Sequence, residues 1–118
     1  MTKGLTINLS YLPVINFAMQ QNHVPVIREI SVRNDGDEIV RDIDIVVSFE
    51  LEFALEYKTR IDMIAPGTEA KVFVVPITVS TEFLSNLTER ILGNIKAVAK
   101  LGDEELSVRH YGISILAF

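Results

Sequence analysis

His23 and His110 are the two histidines of this 118-residue chain, which contains no cysteine. A histidine that does chemistry needs company: a carboxylate or nucleophile within hydrogen-bond reach, or further ligands around one ion. His23 sits in an amide-rich stretch, Asn16 to His23, and His110 sits in an alternating apolar segment near the end of the chain. Neither lies in a nucleophile elbow, a zincin helix, a Walker loop or a glycine-rich dinucleotide motif. Without cysteine, disulfides, thiolate zinc sites and cysteine nucleophiles are excluded. The residues therefore point to a domain that is not an enzyme and holds no cofactor and no metal.

The acids offer one grouping worth testing. Asp35, Asp37 and Glu38, followed by Asp42 and Asp44, have the oxygen ligands a hard cation wants. The calcium-loop register fails, because Gly36 comes too early and no glutamate closes the loop. "NDGDE" (Asn34 to Glu38) instead has turn chemistry: Gly36 takes positive φ cheaply, and Asn and Asp side chains bond nearby amides. Asp103, Glu104 and Glu105 read as a second solvated hairpin.

Asn16, Gln20, Gln21, Asn22 and His23 precede a plain apolar strand. They form either a polar site or a connection whose side chains satisfy its own backbone, and their place at the head of a core element favours the connection. Among the aromatics, Phe53 and Tyr57 flank the junction of the third and fourth expected strands, Tyr111 alternates on the last one, and Phe118 ends the chain. An exposed cluster of such rings would mark a protein or sugar surface, with core packing as the alternative for each. These four are the candidate interaction residues.

The elements that must position them are strands. Leu5, Ile7, Leu9 and Tyr11 alternate with polar residues before Pro13; Val26–Arg33 follows, with Ile30 and Val32 turned to the core. Ile43, Ile45, Val47, Phe49 and Leu51 alternate with Asp42, Asp44, Val46, Ser48 and Glu50, so one face is buried and one is wet. A fourth strand is expected over Leu55–Ile61, a type II turn at Pro66-Gly67, and a fifth strand over Val72–Ile77 with Pro76 marking an edge or bulge. Phe83, Leu84, Leu87 and Ile91 fall at helical spacing behind Ser80 or Thr81 as cap, which predicts one short crossover helix. Ile95–Leu101 and Leu106–Leu116 complete the set.

The pattern predicts an all-β domain, an immunoglobulin- or fibronectin-type β-sandwich of about seven antiparallel strands with one short crossover helix. At 118 residues it is a single domain covering the whole chain, able to bury roughly two-thirds of its unfolded surface. Hydrophobic residues make up 48% of it, which suits a packed core. A net charge of −5, with eleven scattered Lys and Arg residues, argues against gripping a nucleic-acid backbone unless the fold assembles a basic patch. No run of ~20 apolar residues suits a membrane span. The N-terminal residues show no secretory signal, and the expected setting is cytoplasmic. "YGISILAF" stops in an apolar run at Phe118, and the expectation is a piece of a longer polypeptide.

"NFAMQQNHVPVI" (Asn16 to Ile27), "ISVRNDGDE" (Ile30 to Glu38), "RIDMIAPG" (Arg60 to Gly67) and "STEFLSNLTE" (Ser80 to Glu89) together carry a family resemblance. They resemble the N-terminal region of very large bacterial proteins that continue into a superfamily I DNA helicase with a C-terminal restriction-endonuclease-like region. The resemblance covers most of the chain from Asn16 onward and implies a β-sandwich ahead of the motor. That family's Walker lysine and nuclease carboxylates lie downstream and have no counterparts here, so no site is carried over. The implied function is a non-catalytic accessory module that positions or regulates the motor by protein–protein contact with downstream domains of its own polypeptide. One rival is a carbohydrate- or surface-binding immunoglobulin-like module of an exported protein, which needs exposed aromatics on one sheet face. A small enzyme is the other, and it needs His23 or His110 beside a carboxylate.

Overall fold

Period-two patterning becomes strand wherever one face has something to bury. The computed structural model describes residues 4–16, 18–19, 25–73 and 75–116. In chain order the strands are β1 (Leu5–Tyr11), β2 (Val14–Ile15), β3 (Ile27–Asn34), β4 (Val40–Glu50), β5 (Tyr57–Ile64), β6 (Glu69–Val72), β7 (Ile91–Leu101) and β8 (Glu104–Ile115), with the short helix Thr81–Ser85 between β6 and β7. They form a three-stranded sheet ordered β1-β3-β6 and a five-stranded sheet ordered β2-β8-β7-β4-β5. The fold is all-β, with two sheets. No helix among the described residues is long and apolar enough to cross a membrane.

One core lies between the sheets. Ile7, Ile30 and Val32 from the small sheet meet Ile45, Val47, Ile95, Ala97 and Ile113 from the large one, all of them buried. Each fully buried aliphatic side chain contributes roughly 1.5–3 kcal/mol relative to exposure. β4 has the expected alternation, with Ile43, Ile45, Val47 and Phe49 inward. Leu51 breaks it: its φ of 74° turns it out of the strand and leaves it 49% exposed.

Eight strands are described where seven were expected, and one pair is parallel. Pro13 ends the run of β1, and the chain then steps from one sheet to the other. The Leu12 N–H still donates to the Val26 carbonyl at 2.8 Å, while Pro13 and Ile15 carbonyls accept from Ser114 and Leu116 at 2.8 and 2.9 Å. This places β2 parallel to β8. Two residues are too few to show a period, so the sequence pattern passes over them.

Boundaries moved where tertiary pairing outweighs local pattern. β5 begins at Tyr57 and runs to Ile64, and β6 is Glu69–Val72 instead of Val72–Ile77. Pro76 has no N–H to give a ladder, and among the described residues from Phe73 to the helix the one bridge is Ala54–Val79, outside the named strands, although Val75 is buried in the core. The helix ends at Ser85, short of Ile91, because Ile91 is taken by the β7–β8 ladder opposite Ile115. Its start matches expectation: Ser80 Oγ accepts from the Phe83 N–H at 3.1 Å, and Leu84 is buried. The helix carries the chain from the small sheet to the large one.

Asn34 joins the two sheets. It is fully buried at the end of β3, where its amide donates to the carbonyls of Glu38 (2.7 Å) and Ile64 (2.9 Å). Its Oδ1 accepts from the Gly36 N–H at 3.0 Å, and its backbone bonds Thr68 and Gly67 at 2.9 Å each. A buried amide with its partners in place costs little; stripped of them it costs much. Positive φ was expected at Gly36, but the left-handed glycines among the described residues are Gly67 and Gly102. The Asn34 side chain shapes the "NDGDE" turn instead. Ala65-Pro66-Gly67-Thr68 is the expected turn, closed by Thr68 N–H to Ala65 carbonyl at 3.2 Å with Gly67 at φ 71°.

Candidate interaction face

The outward residues of the five-stranded sheet follow from the inward ones. With Ile45, Val47, Ile95 and Ala97 facing the core, Asp44, Val46, Ser48, Lys96, Val98 and Lys100 must face away. Register then lines them up in rows. Arg60, Asp44, Lys100 and Glu105 cross the sheet in one row; Lys58, Val46, Val98 and Val108 form the next; Ser48, Lys96 and His110 form the third. A valine strip thus runs across the middle of the face with cations around it. Val108 is 40% exposed, while neighbouring strands cover Val98.

The cations fall into two classes. Arg60 Nε donates to Asp44 Oδ1 at 2.9 Å, and Lys58 lies 3.4 Å from Glu56. The hydrogen bond that Arg60 donates to Asp44, and then the Asp44 charge, hold the Arg60 guanidinium above its ordinary pKa, with Asp42 and Asp62 adding to the effect. Lys96 and Lys100 have no carboxylate within 4 Å among the described residues. Lys100 borders two shallow depressions of ≈ 230 and ≈ 190 Å³, and Lys96 borders the second. Lys58, Lys96 and Lys100, scattered in the sequence, are gathered here by strand pairing, on a chain whose net charge is −5.

The four aromatic candidates do not share a surface. Phe53 is completely buried and packs edge-to-face on Phe49, with centroids 5.2 Å apart; it has no area to offer a partner. Tyr57 is half-buried against the core, opposite Val47. Tyr111 is also half-buried: its hydroxyl accepts from the Leu9 N–H at 3.2 Å, and its ring meets Tyr11 at 5.3 Å. Ser107 Oγ does the same for Ile7 at 3.2 Å. Together these side chains cap the free edge of β1, which would otherwise invite another strand. Phe118 lies outside the described residues.

The histidines and acids are equally separate. His110 is exposed and its Nδ1 meets the Asn94 amide at 3.0 Å; with that amide donating, the neutral ring carries its proton on Nε2. His23 lies outside the described residues, as do Gln20, Gln21 and Asn22. Asn16 serves its own backbone, accepting from the Met19 N–H at 2.8 Å. Asp35 takes the Thr6 hydroxyl and pairs with Arg33 at 3.0 Å. Among the described residues, no three His, Asp or Glu side chains gather in a way that would hold a metal ion.

Lys96, Lys100, Val46, Val98 and Val108 were missed as a site. A signal existed: Val46 and Val98 are apolar residues in the outward phase of their strands, where their neighbours are Asp, Ser and Lys. Of the described phenylalanines only Phe73 is exposed, and the rows of the valine face hold no Phe or Tyr. No protein-family model matches this chain, and no curated protein matches it.

Proposed function

We propose that this domain is a non-catalytic interaction module and that the outer face of β8-β7-β4-β5 is its contact surface for a protein. The observation that carries the reading is the pair of lysines without an ion pair within 4 Å among the described residues, Lys96 and Lys100, beside the valine strip. Contact surfaces combine an apolar centre with a polar rim, and unpaired rim charges steer approach and register. The partner surface this face suits is apolar at its centre and acidic around it. The mixed signs along the first row keep the face from acting as a phosphate track.

The immunoglobulin-type reading belongs to the same proposal. In its support, the chain leaves one sheet after β1, pairs β2 in parallel with β8, and places β4, β7 and β8 together on the second sheet. The resemblance supports the wider setting: a cytoplasmic module at the head of a large helicase-nuclease, contacting the motor domains of its own polypeptide. A sugar-binding role is the weaker reading, because the face offers valines where a sugar ring would stack on aromatics.

An immunoblot of source-cell extract with an antibody against this domain tests the setting. A band far above 13.2 kDa is expected, and a band at that mass overturns the helicase-linked reading. For the face, the downstream polypeptide is added to ¹⁵N-labelled domain. Amide shifts confined to β4, β7 and β8 and abolished by Lys96→Glu with Lys100→Glu are expected. Shifts centred on β1 and β3 would remove this face from consideration.

A further inference from the structure

At the far end of β4, opposite the β7–β8 turn, the chain makes a groove that the sheet face does not share. The connection from β4 to β5 and the helix Thr81–Ser85 are held together by backbone bonds from Leu55 N–H to Thr78 and from Ser80 N–H to Phe53, at 2.9 and 2.8 Å. Between them lies a concavity of ≈ 550 Å³ lined by Leu51, Glu52, Glu82, Phe83, Asn86 and Leu87. Leu51 is 49% exposed and nearby Leu55 is 68% exposed. Glu52 and Glu82 have no cation within 4 Å among the described residues, and no basic residue lines the groove.

The backbone here works against the burial pattern. Strand alternation directs Leu51 inward after Phe49, yet Leu51 and Glu52 both adopt left-handed conformations, with φ of 74° and 45°. That region is disfavoured for side chains with a Cβ, and a bulky residue in it is unusual. Burial of Phe53 immediately afterward anchors the turn. The result is a leucine held away from the core that lines the same groove as Phe83, Leu87 and two carboxylates without an ion pair among the described residues, Glu52 and Glu82.

We propose that this groove binds a segment of a partner protein in which a large apolar side chain is flanked by lysine or arginine. The apolar side chain lies on Leu51, Phe83 and Leu87, and the flanking cations meet Glu52 and Glu82. Charge complementarity selects this occupant: acidic segments would be repelled, and purely apolar ones would leave both carboxylates facing an uncharged neighbour. The inference does not rest on the valine face, whose lysines select the opposite sign.

The test uses a fluorescein-labelled amphipathic peptide of lysine and leucine, and its counterpart with glutamate in place of lysine, followed by anisotropy against the whole chain. The lysine peptide should bind, weaken as salt rises, and bind about tenfold more weakly after Glu52→Lys with Glu82→Lys. Asp103→Lys with Glu104→Lys, the same charge change at the other end of the strands, should leave binding unchanged. Leu51→Gly relaxes the left-handed turn, so it should raise the melting temperature while weakening the peptide. Equal loss in both charge-reversal pairs would reduce the effect to net charge and overturn the proposal. Equal binding of the glutamate peptide, unaltered binding by Leu51→Gly, or no binding of the lysine peptide would also overturn it. So would self-association of the chain that Glu52→Lys with Glu82→Lys abolishes, since the occupant would then be a second copy.

Discussion

The outer faces of the two sheets are built from similar residue types and end with opposite characters. On the small sheet, register sets Thr6, Arg33 and Glu69 in one row and Asn8, Ser31 and Lys71 in the next. Both cations in those rows have a carboxylate: Arg33 meets Asp35 at 3.0 Å, and Lys71 meets Glu29 and Glu69 at 3.6 and 3.7 Å. No aliphatic side chain stands in those rows. On the large sheet, Lys96 and Lys100 flank valines and make no ion pair within 4 Å among the described residues, although Asp44 and Glu105 stand opposite Lys100. Exposed ion pairs add little stability, commonly under about 1 kcal/mol, so the pairing on the small sheet matters mainly for what it hides. The rows of the small sheet thus close their cations into ion pairs, and the large sheet's face, with lysines outside ion pairs beside an apolar strip, is the one proposed as the contact surface.

That contrast assumes two sheets locked at one junction, and Asn34 is the place to break it. Asn34→Ala should cost about 2–4 kcal/mol in urea unfolding, because the buried Ile64 carbonyl and the part-buried groups of Glu38 and Gly36 lose their partners together. A loss under ~1 kcal/mol would show that Asn34 is not the tie. Gly93→Ala sharpens the comparison by acting on one sheet. A methyl there would stand 2.9 Å from the Phe53 ring and 3.1 Å from Ile115. The expected cost is about 1–3 kcal/mol, with hydrogen exchange quickening in β7 and β8 before β1 and β3.

Smaller effects separate the faces themselves. Lys71→Glu places a third carboxylate beside Glu29 and Glu69 and should lower stability by about 0.5–1 kcal/mol, an effect that fades in high salt. Lys96→Ala with Lys100→Ala removes no ion pair and should leave the unfolding midpoint within about 0.5 kcal/mol of the parent. If the order of these last two were reversed, the lysines of the large sheet would be structural and the contact-face reading would lose its basis.

Legibility varied along the chain for reasons that can be named. Ile43 to Phe49 could be read because one buried face imposes period two over many residues. Leu51 misled the pattern because its left-handed backbone turns it out of register. Val14 and Ile15 were invisible because pairing with β8 is a long-range event with no local signature. Ile91 looked helical from its spacing with Leu87 and became strand because Ile115 lies opposite it. The aromatic candidates were chosen by residue type, and type does not reveal burial: Phe53 went to the core and Tyr111 to the edge of β1.

The sequence by itself determined that this is a β domain with alternating strands, polar turns at Asn34–Glu38 and Pro66-Gly67, a helix capped by Ser80 or Thr81, and no cysteine chemistry. Those are local properties: side-chain period, φ preference and composition act within a few residues. Tertiary structure decided which strands are neighbours, and therefore which side chains share a row. Lys58, Lys96 and Lys100 are scattered in the chain and gathered on one face, while Leu51 and Leu87 line one groove. Register and sheet order place them there, because strand pairing is set by the burial of both sheets against each other and not by any segment alone.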